Sequence, residues 1–117
     1  MIPQDQIDAL KRVFPDLELG EESGTEYIII RGLVLPDGCQ PGVVDALICP
    51  TYRDGYQSRL FVSAKLIHQG KGINWNAEGV LILQSRWWAV SWQTREGQTL
   101  LEMVQDHLRA FRNETAS

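Results

Sequence analysis

Nucleophilic chemistry in this chain can rest on few side chains. There are two cysteines, Cys39 and Cys49, and two histidines, His68 and His107. A cysteine attacks as its thiolate, and a neighbouring histidine lowers the thiol pKa and activates it. His68 leaves the end of the apolar run Leu60 to Ile67, where a strand should stop. Cys39 lies in a turn that an antiparallel meander puts at the same end of the sheet. Adjacent strands run about 4.8 Å apart, so Cys39 and His68 can approach and pair. The plainer reading, preferred at this level, is an exposed turn cysteine with no role. Cys49 ends a strand before Pro50 and reads as a small buried hydrophobe at the opposite end of the sheet. His107 sits on the last helix and reads as a surface residue. Two cysteines and two histidines this scattered have no zinc-site spacing, so neither a metal nor another cofactor is expected.

The stretch from Arg59 to Trp92 has the layout of a site: a strand, a histidine at its exit, a polar glycine-bearing flap from Gln69 to Gly79, and a tryptophan-rich return. Three of the four tryptophans, Trp87, Trp88 and Trp92, lie in that return, with Trp75 in the flap. Adjacent Trp87 and Trp88 point to opposite faces of an extended segment, which makes one a core residue and leaves the other partly exposed. Aromatics anchor interfaces, and Trp88 is the candidate for such a role.

The surrounding elements follow from periodicity. Pro3 to Phe14 predicts a helix with Ile7, Leu10 and Phe14 on one stripe; Pro3 suits its first turn and Pro15 stops it. Leu17 and Leu19 alternate in an acidic stretch and predict a short edge strand. Strands are predicted at Glu26 to Gly32, Val43 to Ile48 and Arg59 to Ile67, with dense turn chemistry at Leu35 to Gly42 and a polar loop at Thr51 to Ser58. Glu96 to Arg112 predicts the closing helix, with Thr99 and Glu102 spaced as a capping box. The expected fold is α+β in two layers: an antiparallel four-strand meander with the N- and C-terminal helices on one face. Residues 1–112 form the expected single domain and 113–117 a flexible tail.

Composition narrows the partners. The chain has 117 residues, 44% apolar and 22% charged, which suits one globular domain. Its net charge of −4 and the lack of a Lys/Arg cluster argue against nucleic acid. No apolar run approaches the roughly 20 residues of a membrane span, and the N-terminus has no secretory pattern. Reduced thiols in a cytoplasm are the simplest expectation.

Several landmarks together resemble ubiquitin-conjugating enzymes across most of the chain. Ile30-Arg31-Gly32-Leu33 is similar to their Ile-x-Gly-Pro, Cys49-Pro50-Thr51-Tyr52-Arg53 to their proline-containing loop, and Lys65-Leu66-Ile67-His68-Gln69-Gly70 to their histidine-bearing strand exit. Ile73 to Gly79, followed by Leu81-Ile82-Leu83 and Trp87, resembles the flap that carries their transfer cysteine. Val13-Phe14-Pro15, Leu35-Pro36-Asp37-Gly38 and Trp88-Ala89-Val90-Ser91-Trp92 look like landmarks of the bacterial members. The resemblance implies a ubiquitin-like protein or an activating-like enzyme as partner. It also implies that His68 orders the flap, that the first helix with Lys11 and Arg12 meets the activating enzyme, and that the loop with Asp54 and Tyr56 meets other partners.

The departures concern chemistry. The transfer cysteine should fall at Glu78 to Ile82, and no cysteine follows Cys49. Gly70 replaces the asparagine that holds the oxyanion in that family. The expectation is therefore an inactive variant that keeps the binding surface, in a bacterial ubiquitin-like conjugation or deconjugation pathway. The alternatives are a transferase relocated to Cys39 with His68 assisting, and an interaction domain unrelated to ubiquitin-like proteins. The sequence leaves the oligomeric state open.

Overall fold

Helix α1 (Gln4–Lys11) buries Ile7 and Leu10. The computed structural model of the chain describes residues 2–111, so Arg112 and the expected tail 113–117 lie outside the described residues. The helix is shorter than the predicted Pro3 to Phe14. The amides of Val13 and Phe14 both fold back onto the Leu10 carbonyl, at 3.0 and 2.9 Å, which turns the chain toward Pro15. Phe14 still packs against the core, whereas Val13 is exposed.

The main sheet is antiparallel throughout. It contains β1 (Glu18–Glu22), β2 (Thr25–Val34), β4 (Val43–Cys49), β5 (Arg59–Val62), β7 (Trp75–Ile82) and β8 (Ser85–Val90), in the order β1-β2-β4-β5-β8-β7. Two short strands, β3 (Cys39–Gln40) and β6 (Ile67–His68), form a separate ladder. Helix α2 (Leu100–Ala110) follows β8.

The α+β class is as expected, with β1, β2, β4 and β5 forming a meander, but the sheet has two more strands. The predicted irregular flap ends at Trp75, where β7 starts and pairs with β8 in a hairpin. The alternation is hidden in the sequence because the β7–β8 register shifts between Trp75 and Ala77 and again between Ala77 and Val80. Each such irregularity displaces the side-chain pattern by a residue and makes a strand read as loop. The predicted strand Arg59 to Ile67 also breaks. β5 stops at Val62: the Ser63 amide still reaches the Asp45 carbonyl at 2.9 Å, but the Asp45 amide donates to Ser63 Oγ at 3.0 Å, and pairing resumes only at Ile67 with a different partner.

Strand alternation divides the interior in two. Ile28, Ile30, Ala46, Ile48, Leu60 and Val62 face one layer, which both helices fill with Ile7, Leu10, Leu100, Val104 and Phe111. Tyr27, Ile29, Leu47, Cys49 and Phe61 face the other way, where Ile82, Trp87 and Ala89 of the hairpin cover them. The tryptophan pair separates as expected: Trp87 is buried in the second layer, and Trp88 is half-buried against the first.

Helix α2 starts at Leu100 and not at Glu96. Thr99 Oγ1 accepts the Glu102 amide at 3.2 Å and Glu102 Oε1 accepts the Thr99 amide at 2.8 Å, so the predicted capping box marks the true N-terminus. These bonds hold the Glu102 carboxyl below its ordinary pKa. Thr99→Ala should lower unfolding free energy by about 1 kcal/mol, read as a shift of the urea midpoint at constant slope.

Candidate functional site

The Cys39–His68 neighbourhood is built by the small ladder. The turn at Leu35 to Gly42 closes with the Leu35 amide on the Gly42 carbonyl at 2.9 Å, and it presents β3 to β6 so that Cys39 and His68 are directly paired. The two residues that the sequence brings together are thus cross-strand neighbours. Their side chains look elsewhere. Cys39 Sγ donates to the Phe111 carbonyl at 3.3 Å, and His68 Nε2 donates to the Asp37 carbonyl at 3.0 Å. Cys39 is buried, in contrast to the exposed turn cysteine expected, because the end of α2 covers it. Burial pushes its thiol pKa up, which opposes thiolate formation. His68 is buried too, and its ring lies against Gly38, where an added Cβ would come within 3.1 Å of Nε2. It orders the 37–39 turn. Cys49 is buried in the second layer with its thiol directed at Thr51, as a structural cysteine would be.

A second constellation surrounds the loop between β4 and β5. Arg59 enters the sheet with its side chain buried, although it is a cation. Its Nη2 donates to Asn76 Oδ1 at 2.5 Å and to the Val90 carbonyl at 3.4 Å, and the guanidinium lies 4.3 Å from the Tyr56 ring centroid. Asn76 Nδ2 in turn donates to Tyr56 Oη at 2.8 Å, and Tyr56 Oη meets Ser91 Oγ at 2.8 Å. Burial lowers the Arg59 pKa. Arg53 donates from Nη1 to Tyr27 Oη at 2.7 Å and pairs with Asp54 at 3.3 Å. Gln93 Oε1 accepts the Gln57 amide at 2.9 Å, and Gln93 Nε2 donates to the Gly55 carbonyl at 3.2 Å. The loop carrying Asp54 and Tyr56 is therefore laced to the segment after β8. A loop cross-linked by such bonds gives up less conformational entropy on binding than an untethered one.

The predicted surface partners divide. Trp88 is half-buried, and Asp54 is exposed beside Tyr56. Lys11 and Arg12 are exposed at the C-terminal end of α1. The end of α1 nearest this loop is the other one: Pro3, Gln6, Pro50 and Thr51 line one cavity of about 280 Å³. An eight-residue helix is about 12 Å long, and no described contact joins Lys11 or Arg12 to the loop.

The largest surprise is His107, which is buried and not on the surface. Its Nε2 lies 2.9 Å from Ser58 Oγ, and Ser58 Oγ lies 2.7 Å from Thr94 Oγ1. Burial lowers its pKa to about 4, against a smaller upward pull from Asp106 and with a further downward push from Arg59. A serine beside a neutral histidine has the composition of a nucleophile–base pair. Ser58 is only 1% exposed, however, so no substrate reaches it, and the chain of hydroxyls ties α2 to the sheet. Spacing on the helix could have found this residue. His107 stands three after Val104 and four before Phe111, on the stripe that α2 buries.

The positions where a transfer cysteine would fall, Glu78 to Ile82, belong to strand β7 at the sheet edge. Glu78 pairs with Lys65 there. Among the described residues no group of three or more His, Cys, Asp or Glu side chains is placed to hold a metal ion, and no helix is long and apolar enough to cross a membrane. Compared with family models, with curated proteins and with solved structures, the chain matches none.

Proposed function

We propose that this chain is a non-catalytic, ubiquitin-conjugating-like binding protein of a bacterial ubiquitin-like conjugation or deconjugation pathway, working in the cytoplasm. The observation that carries the non-catalytic part is the state of the thiols. Thioester transfer needs an accessible thiolate beside an oxyanion donor. Both cysteines of the chain are buried, Cys39 has its pKa raised, and β7 offers no thiol. The partner part rests on the resemblance at Ile30 to Leu33, Cys49 to Arg53 and Lys65 to Gly70. It is supported by the hydrogen-bonded loop around Asp54 and Tyr56, which suits a docking surface. Incubation with a ubiquitin-like protein, its activating enzyme and ATP should give no reductant-sensitive adduct, while pull-down of the ubiquitin-like protein or the activating enzyme should succeed. An adduct would sink the non-catalytic reading. Failure of both pull-downs would favour an interaction domain outside that pathway.

A second reading is favoured by the direct pairing of Cys39 with His68. In it the protein is a transferase that uses Cys39, with His68 assisting once the end of α2 withdraws. Any adduct should then vanish in Cys39→Ala and persist in Cys49→Ala.

A further inference from the structure

The β7–β8 hairpin is bonded to itself far better than to the sheet it extends. Its internal ladder runs from Trp75↔Val90 to Ile82↔Ser85. Between β8 and β5 the one described residue pair is Val62↔Trp88. The hairpin is therefore a cohesive unit with a narrow backbone attachment. Its base is anchored by side chains, Arg59 to Asn76 and Val90 and Asn76 to Tyr56, and an exposed ion pair joins Lys65 to Glu78 midway along β7.

Its tip is anchored differently. Leu83 and Gln84 form a two-residue turn with φ of +50° and +67°, in the left-handed region that side-chain-bearing residues adopt at a cost. Asn-Gly is the ordinary solution for such a turn. A leucine here places a side chain on the opposite edge of the sheet. A Cβ added to Gly20 of β1 would come within 2.6 Å of Leu83 Cδ1, so Leu83 fills the space that Gly20 leaves. The Leu83 amide also donates to Glu22 Oε2 at 3.1 Å. β1 and β7 are the two outer strands, so the sheet curls until the hairpin tip meets the far edge. Beneath the hairpin lies the second apolar layer of Tyr27, Ile29, Leu47 and Phe61.

We propose that the β7–β8 hairpin is a flap that opens as a unit about its base, and that the contact of Leu83 with Gly20 and Glu22 is the latch that holds it shut over this apolar layer. The open form exposes Phe61, Tyr27 and Trp87, while Trp75, Trp88 and Val90 at the base stay packed on the helix layer, which stays folded. This inference does not depend on the reading under Proposed function.

Native-state hydrogen exchange on the full chain, with urea added below the unfolding range, tests it. Amides of the β7–β8 ladder should exchange through an opening of lower free energy and weaker urea dependence than those of β2–β4. Gly20→Ala crowds the latch and should speed hairpin exchange by about tenfold. Released from the apolar layer, a lone two-stranded hairpin is marginal in water, so its ladder amides exchange in the open form. Gln84→Gly relaxes the left-handed turn of the closed hairpin, so it should raise global stability and slow hairpin exchange. Val104→Ala lies in the helix layer; it should lower global stability and leave hairpin exchange within about twofold of the parent. The proposal is overturned if hairpin and β2–β4 amides share one free energy and one urea slope. It is equally overturned if Gly20→Ala lowers global stability without speeding the hairpin.

Discussion

Lowering the pH from about 7 to about 4 is expected to remove about 3 kcal/mol of stability through His107 alone. In the folded protein this imidazole takes up a proton only near pH 4, against an ordinary value of 6.5, because burial between Ser58 and α2 disfavours its charged form. The unfolded chain binds the proton first as the pH falls. Stability is therefore fully present above about pH 6.5, falls through the window down to about 4, and changes no further from this group below it. Asp106, its neighbour on the helix, pulls the value up, while Arg59, facing it from the sheet, pushes it down, and Ser58 and Thr94 complete its surroundings. The Glu102 carboxylate, with a pKa held low by the Thr99 hydrogen bonds, adds its own loss at lower pH. The difference between parent and variant isolates the histidine. His107→Gln keeps a polar side chain that does not titrate, so its urea-derived stability should vary much less between about pH 6.5 and 4 than that of the parent. Parallel pH profiles for the two proteins would exclude His107 as the source.

How much of this was legible in the sequence depends on what each residue obeys. Strands β2 and β4 and the Thr99 capping box were visible because alternation and cap spacing are local rules, and the structure follows them. The pairing of Cys39 with His68 followed from topology alone, since a meander puts both turns at one end of the sheet. What the thiol does could not be read, because its hydrogen-bond partner is the carbonyl of Phe111, seventy-two residues away. The hairpin is hidden in the sequence for a local reason: its two register shifts erase the alternation that marks a strand. Residue type alone places His107 in solvent, whereas its position on the Val104–Phe111 stripe places it inside, and packing follows the stripe. Arg59 left no signal of either kind. An arginine opening an apolar strand reads as an ordinary edge cation until Tyr56, Asn76 and Val90 are brought around it.

Arg59 carries the second large effect. The residue is 2% exposed, and no described ion pair joins it to a carboxylate; its guanidinium is held by an amide oxygen, a carbonyl and the Tyr56 ring. A buried cation without a counter-ion is favourable only while its fork and its flat faces are matched, so shape should matter more than charge. Arg59→Ala removes the hydrogen bonds, the long buried stem and the guanidinium 5.5 Å from the Phe61 ring centroid, and should cost about 3 kcal/mol in unfolding free energy. Arg59→Lys keeps the charge, but a compact ammonium cannot span Asn76 and Val90 while stacking on Tyr56, so most of that loss should remain. Arg59→Met fills much of the volume without burying a charge, and should cost clearly less than the lysine variant. That ranking, methionine above lysine above alanine, is read from urea midpoints at one pH. A lysine variant as stable as the parent would show that net charge at this position, and not guanidinium geometry, holds the base of the hairpin. Asn76→Ala supplies the check on mechanism. Its cost should be about 1 kcal/mol greater in the parent than in Arg59→Met, because the donor that Asn76 Oδ1 accepts is already gone there while the Asn76–Tyr56 bond is common to both.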